Sequence, residues 1–244
     1  MRLALHLSDV APIQGAPVVV HEFHVDAQGG DRVAILGPSG SGKTTVLRAV
    51  IGSAASRRLA QASDTTAIDE LRTGGKIGYI PQNALIFPWL SVADNIHLPY
   101  RIHNRPPENG RITELVNALK VSSFLNTKAT SLSGGMAVRV VTARALVLRP
   151  HLLLIDEAFA ALDEFLRYEI WCRVMQEMQS GVTMFVTHSV SDAAAFATHA
   201  IILDGRTPSR TTNVRLGPIV PSYPPVPSSA MSENIDAIRR ALHS

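Results

Sequence analysis

Gly37-Pro38-Ser39-Gly40-Ser41-Gly42-Lys43-Thr44-Thr45 follows directly on the apolar run Val33-Ala-Ile-Leu36 and opens a helical stretch running to Ile51. The spacing is G-x-x-x-x-G-K-[ST], placed between a strand and a helix, which is the context in which that pattern holds phosphate. The glycines let successive backbone N–H groups turn inward as an anion nest, and the helix N-terminus adds its positive dipole end. Lys43 then reaches the outer phosphates as a point charge, and the Thr44 hydroxyl is a ligand for Mg²⁺.

A second apolar run, Leu152-Leu-Leu-Ile155, delivers two adjacent carboxylates, Asp156 and Glu157, to its end. Ligands of open α/β sheets bind at the carboxyl ends of their strands. Asp156 therefore suits the Mg²⁺ shell, and Glu157 suits the polarisation of a water aimed at the terminal phosphate. Ile77-Gly-Tyr-Ile80, Val182-Thr-Met-Phe-Val186 and Ile201-Ile-Leu203 have the same continuous apolarity. Such runs fit parallel strands covered on both faces, and the helical stretches between them predict an α/β fold.

The composition is consistent with this. The chain has 244 residues, 46% of them hydrophobic and 18% charged, enough for a sizeable core and too apolar for a disordered chain. Its net charge of +3 is too small an excess to imply a nucleic-acid partner. One cysteine, Cys172, excludes a disulfide framework and reads as a buried small hydrophobe. No apolar run approaches the length that spans a bilayer, and the alternating N-terminus lacks a secretory pattern, so a cytoplasmic chain is expected.

Residues 87–130 break the strand pattern. Ile112, Leu115, Val116 and Leu119 recur at helical spacing, and Pro99, Pro106 and Pro107 read as breakers, so a small helical subdomain is expected there. It divides the core into 1–86 and 131–205. Residues 206–244 are expected to form a poorly packed Pro-rich tail, with Pro221-Ser-Tyr-Pro-Pro-Val-Pro227 at its centre. A short terminal helix follows, with Ser232 as cap and Ile235, Ile238 and Leu242 on one face.

Leu132-Ser133-Gly134-Gly135-Met136 resembles the signature motif of ATP-binding-cassette proteins, and it stands just upstream of Asp156-Glu157 as in that family. Tyr79-Ile-Pro-Gln82 resembles the family's glutamine loop, Ala161-Leu-Asp163 the loop after the acidic pair, and Val186-Thr-His188 the switch histidine. All of these pieces, with the phosphate loop and the acidic pair, occur in the family's order between Gly37 and His188. The resemblance covers about residues 1–205. It implies a P-loop NTPase (RecA-like) core with a parallel sheet flanked by helices, an N-terminal antiparallel β subdomain and a small α-helical insert. It also implies ATP and Mg²⁺ as cofactors. Gln82 then senses Mg²⁺ and the γ-phosphate, His188 contacts the γ-phosphate, and Asp163 communicates across a dimer. Ser133, Gly134 and Gly135 form a second anion site at a helix start. If the sheet lies between it and the chain's own phosphate loop, a second copy must bring it to the nucleotide, giving a head-to-tail dimer.

The stretch Leu85-Ile-Phe-Pro-Trp-Leu-Ser-Val-Ala-Asp-Asn-Ile96 is similar to that of ATPase subunits serving importers of nitrate, sulfonates, taurine and related small anions. The resemblance thus implies an ATPase at the cytoplasmic face of the membrane, working with separate transmembrane permease subunits and indirectly with a solute-binding protein. Two features depart from the pattern. Ala137-Val138 replaces the usual Arg-Gln after the signature, and Gln14 falls where an aromatic ring normally stacks on adenine. Phe23 is the nearest ring, and its strand alternation turns it to the core. Three other readings are a soluble cassette ATPase of DNA repair or translation, a P-loop kinase, and a cassette that binds but barely hydrolyses ATP. The first needs a second cassette or a long coiled-coil insert, the second has no use for Leu132–Gly135, and Glu157 with His188 opposes the third.

Overall fold

The computed structural model describes residues 2–13, 15–52, 76–217, 219 and 228–243. Strands β1 (Arg2–Val10) and β2 (Val20–Gln28) form an antiparallel pair. Strand β3 (Arg32–Leu36) then enters a six-stranded sheet and leads through the phosphate loop into α1 (Lys43–Ile51). Strand β4 (Ile77–Ile80) precedes the helical insert, made of α2 (Val92–Ile102) and α3 (Asn109–Ala118). Next come α4 (Gly134–Leu146), β5 (Leu152–Asp156), α5 (Glu164–Glu177), β6 (Val182–Val186), α6 (Val190–Phe196) and β7 (His199–Leu203). Strand β8 (Thr211–Arg215) and α7 (Ser229–Leu242) close the described chain.

The sheet order is β4-β5-β6-β3-β7-β8, parallel except for β8, which runs antiparallel to β7. Continuous apolarity gives each central strand two buried faces. In β5, Leu152 and Leu154 join β1, β2 and α1 in one core layer, whereas Leu153 and Ile155 face α4, α5 and α6 in the other. Phe23 is buried in the first layer, as its alternation predicts.

The insert shares the second layer. Ile96, Tyr100, Ile112 and Leu115 bury against it, and the hydroxyl of Tyr100 donates to the Val147 carbonyl at 3.3 Å. Arg111 donates to the Leu146 carbonyl and forms a buried ion pair with Glu177. Pro99 does not break this helix, contrary to its reading as a breaker. It lies inside α2, where the lost backbone bond is tolerated between the buried anchors Ile96 and Tyr100.

The tail also differs from expectation. Thr211–Arg215 completes the sheet edge as β8, a strand too polar to announce itself because its side chains are half or fully exposed. Helix α7 is packed through Ile238 and Asn234, both buried. The Gly217 N–H donates to Asn234 Oδ1 at 2.7 Å, while Asn234 Nδ2 donates to the Ala194 and Gly217 carbonyls. Ser228, not Ser232, caps the helix, because its Oγ accepts from the Met231 N–H. The proline cluster Pro221–Pro227 lies outside the described residues.

Candidate functional site

The phosphate loop joins β3 to α1 and is shaped by glycine where only glycine fits. At Gly37 (φ 149°) a Cβ would stand 2.5 Å from the Leu203 carbonyl oxygen, and at Gly42 (φ 98°) it would stand 2.7 Å from Val20 Cγ2. Gly42 caps α1, so the loop ends on the free N–H groups of a helix N-terminus. Lys43 Nζ donates to the Gly37 carbonyl at 2.9 Å and the Pro38 carbonyl at 2.7 Å. Burial holds this ammonium below the ordinary lysine range, while Glu157 and Asp156 oppose that shift.

In the first turn of α1, the Thr44 hydroxyl donates to Asp156 Oδ1 at 3.0 Å. Asp156 ends β5 almost fully buried, and burial raises its carboxyl above the usual carboxylate value. Hydrogen bonds from Thr44 and from the Tyr79 hydroxyl work against that rise. A buried carboxylate beside a hydroxyl, with the Gln82 amide on the same cavity, is an all-oxygen donor set that fits a hard divalent cation such as Mg²⁺.

Glu157 follows in a left-handed backbone conformation, φ 50°, with its N–H donating to the Val186 carbonyl. That conformation costs of order 1–3 kcal/mol for a side chain of this kind and is retained where surrounding structure enforces it. Gln82 Nε2 donates to Glu157 Oε2 at 3.3 Å, and His188 Nδ1 lies 3.8 Å from the same oxygen. Three loops after three neighbouring strands thus meet on one carboxylate.

Gln82, Glu157 and His188 line a cavity of about 440 Å³ together with Ser39, Gly40, Thr44 and Thr45, whereas Asp156 is not among its lining residues and stands behind Thr44. Pro38 and Ser41 belong to the loop but turn away from the cavity, Ser41 being buried. Ser133, Gly134, Gly135 and Asp163 are not brought to it within the chain. Ser133 caps α4 through an N–H bond from Met136, and a Cβ added at Gly134 would meet nothing within 4 Å. Asp163 caps α5 by accepting from the Leu166 N–H at 2.9 Å.

Two participants were not singled out from sequence. Val19 contributes an apolar wall to the cavity, and Tyr79 bonds Asp156. Register explains Tyr79: it pairs with Leu154, two residues before Asp156, on the same face of the sheet. Gln14 lies outside the described residues. Trp171 is core, stacked on Phe196 with ring centroids 4.9 Å apart, but Cys172 is only half-buried and corrects the expectation of a fully buried thiol.

The Leu85–Ile96 stretch forms a rim with a clear physical basis. Ser91 and Asp94 cap α2, and the buried Asn95 side chain accepts from the Phe87 N–H and donates to the Phe87 carbonyl. Phe87 and Trp89 are held outward, edge to face at 5.5 Å, with the Arg144 guanidinium 5.4 Å from the Phe87 ring.

Comparison with known proteins agrees with this arrangement. The family described as ABC transporter matches residues 20–160. A sulfate/thiosulfate import ATP-binding protein of Mesorhizobium japonicum is 33% identical over 193 residues, covering 75% of this chain and 56% of that protein. An Fe(3+) ions import ATP-binding protein of Pseudomonas fluorescens is 38% identical over 216 residues, covering 83% and 60%. The chain thus spans a little over half the length of these relatives, and neither is named for nitrate, sulfonate or taurine. A solved structure titled as the ATP binding subunit of an ABC transporter superposes with TM-score 0.73 at 21% identity, over 87% of this chain and 90% of that one, and shares its fold. The phosphate loop, the carboxylate pair and the matched sequence together place the chain in the ABC transporter family.

Proposed function

We propose that the chain is the nucleotide-binding subunit of a membrane importer, hydrolysing ATP to drive a small solute through separate permease subunits. The observation that carries the chemistry is the convergence of Gln82, Glu157 and His188 opposite the phosphate loop. Gly37 to Thr45 bind the phosphates through backbone N–H groups and Lys43. Mg²⁺ held by Thr44, Asp156 and Gln82 would neutralise charge on the outer phosphates. Glu157 accepts the proton of the attacking water, Gln82 fixes the orientation of its carboxylate, and His188 meets the terminal phosphate.

Ser133, Gly134, Gly135 and Asp163 act on the nucleotide of a second copy in a head-to-tail dimer. The Phe87–Trp89 rim seats the permease, which holds the chain at the cytoplasmic face of the membrane. Among the described residues no helix is long and apolar enough to cross a membrane. A solute-binding protein acts indirectly through the permease. The relatives carry both an oxyanion and a metal cation in their names, so the narrower reading of a small anion such as nitrate, a sulfonate or taurine rests on Leu85–Ile96 alone. Glu157→Gln tests the mechanism: ATP should bind as in the wild type while turnover falls at least 100-fold, roughly the lower end of general-base effects. Full turnover in that variant would remove Glu157 from the base role.

A further inference from the structure

After β7 the chain turns back and passes behind the phosphate loop. Gly37 abuts the Leu203 carbonyl, and Gly205 (φ 76°) abuts Pro38, whose Cγ would stand 2.3 Å from an added Cβ. Ser209 ends this pass with no exposed surface. Its Oγ stands 2.9 Å from the Ser41 carbonyl and 2.8 Å from the Arg206 carbonyl, donating its single proton between them. Its N–H donates to the Val19 carbonyl at 2.8 Å, and its own carbonyl accepts from the His21 N–H at 3.4 Å. One buried residue is therefore bonded to the phosphate loop at Ser41 and to Val19, which lines the same cavity beside Gly42.

We infer that Ser209 is a positioning residue for nucleotide binding, acting through Ser41 and Val19; this rests on the reading of Gly37–Thr45 as an ATP phosphate site. The physical link is the peptide plane. In a trans peptide the Ser41 carbonyl and the Gly42 N–H point in opposite directions. Drawing the carbonyl back onto the Ser209 hydroxyl aims the Gly42 N–H forward, and Gly42 lines the cavity. Ser209 lies beyond the residues 20–160 that the family match covers. The amides it orients serve ADP and ATP alike, before and during the reaction. Its loss should therefore weaken ground state and transition state equally, raising KM without lowering kcat.

The test titrates ADP and ATP against the purified chain and measures ATPase kinetics in Ser209→Ala, Gly205→Ala and Thr211→Val. Thr211 is the control: its hydroxyl also ties this segment to β2, donating to the Glu22 carbonyl at 3.1 Å, but away from the loop. Ser209→Ala should weaken ADP and ATP by the same factor, roughly three- to tenfold as for one lost hydrogen bond, with kcat unchanged. Gly205→Ala, which presses on Pro38 from outside, should give the same split even if Ser209→Ala folds poorly. Thr211→Val should bind like the wild type. Wild-type affinity in a folded Ser209→Ala, wild-type affinity in Gly205→Ala where Ser209→Ala does not fold, or equal weakening in Thr211→Val would overturn the inference alone. A wild-type chain that binds neither ADP nor ATP would overturn the phosphate-site reading and this inference with it.

Discussion

Thr44 and Asp156 meet through a hydrogen bond of 3.0 Å, joining the first turn of α1 to the end of β5 across 112 residues of sequence. The carboxylate is buried there at a cost, because burial raises its proton affinity and the Thr44 and Tyr79 hydroxyls recover only part of the loss.

Asp156→Asn keeps an acceptor for Thr44 and removes the charge. An acid with a raised folded value binds its proton more tightly folded than unfolded. Stability therefore falls as pH rises from its ordinary value of 3.8 through the raised one, and the penalty is complete at neutral pH. The nucleotide-free variant should melt higher at neutral pH, by roughly 2–4 °C for about 1 kcal/mol in a chain of this size. It should also lose most of the Mg²⁺-dependent gain in ATP affinity. Calorimetry at several pH values and titrations with and without Mg²⁺ check both. An unchanged or lower neutral-pH Tm would contradict the stated cost of burial.

Lys43→Ala removes the only side-chain cation of the phosphate loop, and Ser133→Arg blocks the open helix start at α4. Each variant alone should be inactive. A mixture that forms heterodimers should recover part of the ATPase activity, because one of its two composite sites is intact. No recovery in a mixture proven by cross-linking to contain heterodimers would count against a site built from two chains.

Trp89→Ala should leave the isolated ATPase folded and active, because Trp89 is 74% exposed and contributes to the rim instead of the core. Co-purification with the permease from solubilised membranes should fall at least tenfold, as for truncation of an aromatic anchor worth about 2 kcal/mol. Asn95→Ala should weaken the same association indirectly, by releasing the Phe87 backbone, and should also lower Tm. Undiminished co-purification in Trp89→Ala would move the docking site elsewhere.

If Gln14, which lies outside the described residues, takes the place of the ring expected on adenine, phosphate and metal contacts should dominate affinity. Weak discrimination between ATP and GTP is expected in the wild type, and Gln14→Tyr should tighten ATP by roughly five- to fiftyfold, within the 1–3 kcal/mol of base stacking. Equal affinities with a strong ATP preference in both chains would mean that another group holds the base.

What was legible in advance had a local cause. The phosphate loop needs its glycines, its lysine and its threonine in consecutive positions, so the chemistry is written in nine adjacent residues. Strands buried on both faces must be apolar throughout, which is why β3, β5 and β6 stand out. Strand β8 stood hidden because an edge strand with half-exposed polar residues has no such constraint. Helix α2 was obscured by Pro99, whose local rule is overridden by the packing of Ile96 and Tyr100.

The sequence by itself determined the phosphate-binding chemistry, the acidic pair and the α/β class, because each depends on residue type at short spacing. Only the tertiary structure decided which distant groups share the site. Strand register brings Tyr79 to Asp156, the loops after β4 and β6 bring Gln82 and His188 to Glu157, and the return of the chain after β7 places Ser209 behind Ser41. These contacts are made between segments up to 168 residues apart, where side-chain identity carries no signal of proximity until the sheet order fixes it.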